Sequence, residues 1–297
     1  FNVHLSPNNE ILPLMGSKEG IMHISMAFLN EGDGVLIPNP GYPAYEAAAN
    51  LCGAKKMYYH LESKNNWLPD IDAIGKQNLT GIKIMWVNYP NMPTGKRASD
   101  TLFEQLIAFG KKHNILIIND NPYALILNPQ PTSILAVDGA IDIALELNSL
   151  SKSHNMAGWR IGMVGGSAEN IDAILKVKSN MDSGMFFPLQ MAGAKALSLG
   201  QEWYKKLNDA YTQRREIVFD ILKQLGSNHE PGQSGLFIWS SVPEKWENSE
   251  EYSDFLLDKY KIFITPGNIF GSNGKKHIRT SLCVSEQRLN ECLKRVS

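Results

Sequence analysis

Over the first two hundred residues, short apolar runs alternate with longer stretches of helical pattern. The runs Val35–Pro38, Lys55–Tyr59, Ile82–Val87, Ile115–Asn119, Ile143–Leu147 and Ile161–Gly165 are expected strands. Several are almost wholly apolar, as suits strands covered on both faces. Helices are expected between them at Ser17–Leu29, Pro43–Leu51, Ser99–Lys112 and Glu169–Asn180. The third has a good start, with Ser99 as cap and Asp100 in the first turn. This alternation predicts an α/β unit with a mostly parallel sheet flanked by helices.

After about Gly200 the texture changes. A long helical pattern, Glu202–Leu225, stops at Gly226, a suitable C-cap. Expected next are a strand at Leu236–Val242, a helix at Ser249–Tyr260, strands at Lys261–Thr265 and His277–Leu282, and a helix from Ser285. The division is therefore a large unit over residues 1–200 and a small α+β unit over 201–297. No internal repeat, low-complexity tract or long linker interrupts either.

Composition narrows the partners. Hydrophobic residues make up 43% of the 297, enough for a sizeable core, and 29 basic residues balance 30 acidic ones. A net charge of −1 gives no electrostatic case for nucleic acid or an anionic membrane, so a small molecule is the expected partner. Cys52, Cys283 and Cys292 lie far apart, without metal spacing, and are expected as small buried hydrophobes in a reduced compartment. Phe1 to Glu10 lacks the charged start and apolar run of a signal peptide, and no stretch approaches the ~18 apolar residues of a membrane span. A cytoplasmic protein is expected.

The segment richest in chemistry is Asn148-Ser-Leu-Ser-Lys-Ser-His-Asn-Met-Ala-Gly-Trp-Arg-Ile-Gly162. It follows a strand, and strand ends of open α/β sheets are where ligands bind. Lys152 is a residue type that condenses with aldehydes, the more readily when burial or nearby cations depress its pKa. Ser149, Ser151 and Arg160 offer hydroxyls and a guanidinium fork suited to a phosphate. Read alone, the same segment is also an ordinary polar surface loop. Gly16-Ser-Lys-Glu-Gly20 opens a helix whose free N–H groups could take an anion. Pro38-Asn-Pro-Gly-Tyr-Pro43 is a rigid Pro-framed turn, and Asn119-Asp-Asn-Pro-Tyr123 follows an Ile/Leu strand.

Together these segments closely resemble the class I/II aminotransferases of fold type I, which use pyridoxal 5'-phosphate (PLP). The pattern Ser149-x-Ser151-Lys152 with Gly158-x-Arg160-x-Gly162 is similar to the family's PLP-lysine signature, and the others occur in the family's order from about Gly16 to Arg279. The resemblance implies a Schiff base between PLP and Lys152, with phosphate on Ser17, Lys18, Ser149, Ser151 and Arg160. It implies Tyr42 against the ring, Asp120 at the pyridine nitrogen and Tyr123 at the ring oxygen. A carboxylate at that nitrogen keeps it protonated, so the ring withdraws electrons. Arg279, in Lys276-His-Ile-Arg-Thr-Ser-Leu282, is implied for the substrate α-carboxylate. Ping-pong transamination between an amino acid and a 2-oxo acid follows, in a homodimer. Ser183-Gly-Met-Phe-Phe187 resembles a segment that reaches toward the partner's site, and Ile264-Thr-Pro-Gly267 with Phe270 a loop that closes near the substrate.

One departure stands out. In Asn88-Tyr-Pro-Asn-Met-Pro-Thr-Gly95, Met92 occupies the place of the family's asparagine, which binds the cofactor's phenolic oxygen and the substrate carboxylate. A thioether cannot donate that bond. Either Asn88 or Asn91 swings in, or the other contacts suffice. The family also carries a substantial segment ahead of Gly16, where 15 residues stand here, so an N-terminal part is expected to be missing. A fold-type I lyase or synthase, or a non-catalytic PLP-binding protein, would share these motifs. A nucleotide-binding α/β protein is disfavoured, because no glycine-rich fingerprint follows a first strand. His154 is expected to be a bystander, His113 and His277 lack metal spacing, and Phe237, Trp239 and Trp159 are expected in packing.

Overall fold

The computed structural model describes residues 1–297. Its main sheet contains β1 (Ile11–Leu14), β2 (Gly34–Asn39), β3 (Lys55–His60), β4 (Ile82–Val87), β5 (Leu116–Asp120), β6 (Ala144–Ser149) and β7 (Gly162–Gly165), in the spatial order β1-β7-β6-β5-β4-β2-β3. β6, β5, β4, β2 and β3 run parallel, while β7 pairs antiparallel with both β6 and β1. The parallel strands are joined through helices that include α1 (Ser17–Phe28), α2 (Pro43–Leu51), α3 (Ile71–Gly75) and α4 (Asp100–His113). After β6 come the single turn α5 (Leu150–Ser153), then α6 (Ala168–Ser179) and α7 (Phe187–Leu197) beyond β7. As expected, this is a mostly parallel sheet flanked by helices, accompanied by a smaller α+β part.

The side-chain period of two divides each central strand between two cores. Val35, Ile37, Ile84, Trp86 and Ile118 belong to one, beneath Ile21 and Ile24 of α1 and Ala48 of α2. Leu36, Met85, Val87 and Ile117 belong to the other, with Phe103 and Leu106 of α4. Burial on both faces is why these runs lack polar alternation. Ser99 caps α4, its side chain accepting from the Leu102 N–H at 3.1 Å, and Asn114 ends that helix in the left-handed region.

The second core continues without a break into the C-terminal part. There α8 (Gln201–Gln224), α9 (Ser249–Tyr260) and α10 (Glu286–Val296) accompany a three-stranded antiparallel sheet of β8 (Phe237–Ser241), β9 (Thr265–Pro266) and β10 (His277–Ser281), with β10 central. Leu222 of α8, Trp239 of β8 and Ile278 of β10 lie in one cluster with Val87 and Phe103. No helix is long and apolar enough to cross a membrane.

Several expectations need correction. β1 was not anticipated: Ile-Leu-Pro-Leu is short, and its Pro13 suits an edge strand bonded on one side only. The strand expected at Lys261–Thr265 shrinks to β9, because Lys261 is in the left-handed region and ends α9. The cysteines are not buried hydrophobes: Cys283 is exposed and Cys52 and Cys292 are half-buried, all three as free thiols. Trp159 is 50% exposed rather than packed.

The C-terminal ends of β2, β4, β5 and β6 share one sheet edge, and Gly162, at the start of antiparallel β7, pairs with Ser149 there. A methyl group on Gly162 would lie 2.8 Å from the Asn148 carbonyl oxygen and 2.9 Å from the Ser17 nitrogen. Gly162→Ala must therefore push the start of α1 away from the sheet. We expect it to destabilise the chain by about 1–3 kcal/mol, as overpacking does, read as a lower Tm in thermal unfolding. An unchanged Tm would mean that α1 is free to retreat.

Candidate active site

All ten residues singled out from the sequence line one cavity of about 330 Å³ at that edge: Ser17 and Lys18 of α1, Tyr42, Asp120, Tyr123, Ser149, Ser151, Lys152, Arg160 and Arg279. They come from six segments of the chain. The parallel strands deliver Asp120 and Ser149 as their last residues, α5 presents Ser151 and Lys152, and β10 brings in Arg279 from the other side. Four basic side chains, Lys18, Lys152, Arg160 and Arg279, face a single carboxylate, which suits a ligand carrying more than one negative charge.

One end of the cavity is an anion cradle. Gly16 caps α1 at φ 86°, ψ 156°, a conformation costly for other residues, and leaves the N–H groups of the first turn without helical partners. A Cβ on Gly16 would sit 2.2 Å from a terminal nitrogen of Arg160, so glycine is what lets the guanidinium approach the helix end. Arg160 itself is in the left-handed region (φ 56°), and its guanidinium donates to the Ala157 carbonyl at 2.8 Å. Ser149 is turned inward. Its hydroxyl accepts from the Ser151 N–H at 3.1 Å and donates to the Ile161 carbonyl at 3.3 Å, shaping the turn that carries Lys152.

Deeper in, Asp120 is fully buried. Its Oδ2 accepts from the Tyr45 hydroxyl at 2.9 Å, and its Oδ1 has no partner. Burial pushes its carboxyl up to about 6, against which the Tyr45 bond works. An orphaned carboxylate oxygen facing a cavity calls for a donor, and the protonated nitrogen of a pyridine ring is of the right chemistry. Tyr45 is stacked on Trp86 with centroids 4.9 Å apart, which fixes its hydroxyl. Burial first, then the charge of Asp120, raises the Tyr123 phenol, so it stands as a neutral O–H donor.

The Arg279 guanidinium lies 3.9 Å from the centroid of Phe237 and 4.5 Å from that of Phe270. It makes no salt bridge, its Nε is buried without a partner, and its Nη1 contacts Met92 Sδ at 3.1 Å. Neither asparagine replaces the amide that Met92 lacks. Asn88 lines the cavity but spends its amide on the backbone, donating to the Asp120 carbonyl and accepting from the Met92 N–H at 2.7 Å. Asn91 turns to Thr94, whose hydroxyl donates to it at 2.8 Å.

Sequence reasoning missed Tyr45, Asn88 as a fixed brace, and Phe237, taken for core but lying half-buried on the cavity wall against Arg279. Phe237 was detectable, since it alternates in β8 with the buried Ile238. Tyr45 carries no local signal. His154 is buried, with Nδ1 2.9 Å from the Ser153 hydroxyl and Nε2 3.3 Å from that of Tyr204.

A parallel α/β sheet with a lysine, a buried acid and an anion cradle at its C-terminal edge defines the fold-type I class of PLP enzymes. The whole chain matches a family model: residues 1–296 fit the aminotransferase class I and II family, and the chain belongs to it. It is an aminotransferase, and the family's cofactor is PLP. It is 42% identical over 298 residues to an LL-diaminopimelate aminotransferase of Aquifex aeolicus, spanning 100% of this chain and 77% of that one. To an enzyme of the same name from Dehalococcoides mccartyi it is 41% identical over 293 residues, 98% of this chain and 75% of the relative. Among solved structures it superposes on apo-BacF of Bacillus subtilis with a TM-score of 0.96 at 35% identity, covering 100% of this chain and 80% of that one.

The raised Asp120 carboxyl has a consequence for the cofactor-free protein. Between the ordinary value of 3.8 and about 6 the folded state holds a proton that the unfolded state has lost, so stability falls as pH rises through that window. Asp120→Asn removes the effect. The cofactor-free variant should be more stable than the parent at pH 8, by up to about 3 kcal/mol, and similar to it at pH 4. Urea unfolding at the two pH values checks this, and equal differences at both would contradict a buried, half-partnered carboxylate.

Proposed function

We propose that the chain transfers the amino group of LL-diaminopimelate to a 2-oxo acid, with Lys152 as its catalytic base. What carries the reading is the opposition, across one cavity, of the Lys152 amine, the orphaned Oδ1 of Asp120 and the unpaired guanidinium of Arg279. The substrate is favoured by the two relatives of that name at 41–42% identity.

Each residue has a task. The first-turn N–H groups of α1, Ser17, Lys18, Ser151 and Arg160 hold the phosphate, while Ser149 sets the geometry of the lysine turn. Tyr42, on the cavity wall, would cover one face of the ring. Asp120 Oδ1 accepts the ring N–H, which also relieves the cost of burying its charge, and Tyr123 donates to the ring oxygen. Arg279, held flat by Phe237 and Phe270, binds the substrate's α-carboxylate through two parallel N–H bonds. When bound, PLP supplies an aldehyde for the amino group and a ring that withdraws electrons. Lys152 Nζ takes the proton from the substrate's α-carbon and serves as its carrier.

The same proposal includes a cofactor-binding unit over residues 1–200, a small unit over 201–297, and a homodimer. Supporting the last, Phe186 and Phe187 expose 69% and 68% of their surface at the start of α7, close to the exposed Met191.

Lys152→Ala should abolish both the visible-edge absorbance of the PLP-loaded enzyme and turnover with LL-diaminopimelate. Survival of the band would refute the role of Lys152, and a parent enzyme converted by other amino acids but not by this one would refute the substrate. Met92→Asn should place a donor beside Arg279 and lower KM for the amino acid about tenfold or more, the net worth of one hydrogen bond to a charged carboxylate. Steady-state kinetics read this, and an unchanged or higher KM would mean that the thioether is already part of the carboxylate site.

A further inference from the structure

We infer that Glu146 is a positioning residue that fixes the direction in which Asp120 points, a role that rests on the reading of Asp120 given above. Glu146 lies on β6 opposite Asn119 of β5, with Leu147 opposite Asp120. Successive side chains of a strand point to opposite faces, so Asp120 faces the cavity while Asn119 and Asn121 point away from it. Both amides end on one carboxylate. Asn119 Nδ2 donates to Glu146 Oε2 at 3.2 Å and Asn121 Nδ2 to Oε1 at 3.3 Å. The Ile134 N–H adds a third bond to Oε2 at 2.9 Å. The residues on either side of Asp120 are thus bracketed from behind by one buried acid.

That acid is an expensive choice. Glu146 is buried, has no cationic partner, and burial raises its carboxyl despite the bonds that favour the ion. Both asparagine amides and the Ile134 N–H donate to it, and a bond from the Ser133 hydroxyl also favours the ion, so an anion with two accepting oxygens fits the site. The bracket reaches further: Asn119 Oδ1 accepts from the Tyr89 N–H at 3.1 Å, and Asn88 donates to the Asp120 carbonyl. The Asn88–Met92 loop and the end of β5 are therefore set as one piece, and the aim of the orphaned Oδ1 of Asp120 depends partly on Glu146, Asn119 and Asn121, which do not line the cavity.

The test is Glu146→Gln, which keeps size and burial but turns one acceptor into a donor facing another donor. In the PLP-loaded enzyme kcat should fall about tenfold with both KM values within about twofold, since Asp120 faces the cofactor and not the substrate. The cofactor itself should dissociate about tenfold more readily in equilibrium dialysis against free PLP. In the cofactor-free protein, carbon-13 titration of the Asp120 carboxyl, assigned by its absence in Asp120→Asn, should move from about 6 toward the ordinary aspartate value. A merely structural role would lower Tm and leave that titration and kcat per bound cofactor unchanged, which overturns the inference. Should Glu146→Gln fail to fold, Asn121→Ala releases one arm of the bracket and should show the same split in smaller measure. Asp120→Asn separates the two levels: if it leaves turnover intact, the function assigned to Asp120 fails, whereas if it abolishes turnover and Glu146→Gln does not reduce it, only the bracket fails.

Discussion

The site is organised around a carboxylate kept out of water. Asp120 ends a strand of Leu, Ile and Ile, in a place where a lone charge is costly, and it receives one hydrogen bond where two oxygens need satisfying. The chain tolerates this because its neighbours are rigid. Tyr45 is stacked on Trp86, Asn88 holds the peptide that follows Asp120, and Asn119 and Asn121 are tied down behind it. A flexible acid would turn to solvent and lose its bias. A fixed one stores an unmet demand that a cationic ring nitrogen would satisfy, so under the proposed function cofactor affinity and electronic tuning would arise from the same burial.

The opposite end of the cavity solves the reverse problem, concentrating positive potential without a large cluster of lysines. Backbone does part of the work. The first turn of α1 offers free N–H groups, and two glycines let other parts come near it: Gly16 admits the Arg160 guanidinium, and Gly162 lets β7 pass within van der Waals range of Ser17. This is where the antiparallel direction of β7 matters. Running against β6, it returns Arg160 and Gly162 to the edge where the parallel strands end, instead of carrying them to the far side of the sheet.

Much of this was legible in the sequence because it is written in local chemistry. Strands buried on both faces read as apolar runs, and Ser99, Gly16 and the Pro-framed turn announce their elements. Arg279 and Lys152 could be assigned roles through the family resemblance, and both line the cavity. What escaped is non-local. Tyr45 reaches Asp120 across 75 positions, and nothing around it distinguishes it from a core tyrosine. β1 is four residues with a proline and is defined by what it pairs with. Met92 was visible as an anomaly, but its contact with Arg279 depends on β10, nearly two hundred residues away. The cysteines misled because composition favours burial for that residue on average, whereas Cys52 ends α2, Cys283 is exposed after β10 and Cys292 is only half-buried along α10.

The remaining question is how a lysine on a single-turn helix is held as firmly as an acid at the end of a strand. α5 is too short to be stable by itself. Its support comes from α8. Trp203 Nε1 donates to the Ser153 carbonyl at 2.9 Å, the Tyr204 hydroxyl meets His154, and the Tyr211 hydroxyl donates to Asn155 at 3.2 Å. Between them on the same helix, Asn208 accepts from the Leu127 N–H at 2.6 Å and donates to the Leu125 carbonyl at 3.1 Å, fixing the loop that follows Tyr123. Residues 204, 208 and 211 recur at helical spacing and so share a face. One rigid helix thus braces both the lysine turn and the tyrosine loop, so the separation of Lys152 from Tyr123 is set in part by a helix that does not line the cavity. His154, beside the lysine and outwardly a candidate base, belongs to this brace, which explains its burial without giving it any part in the chemistry.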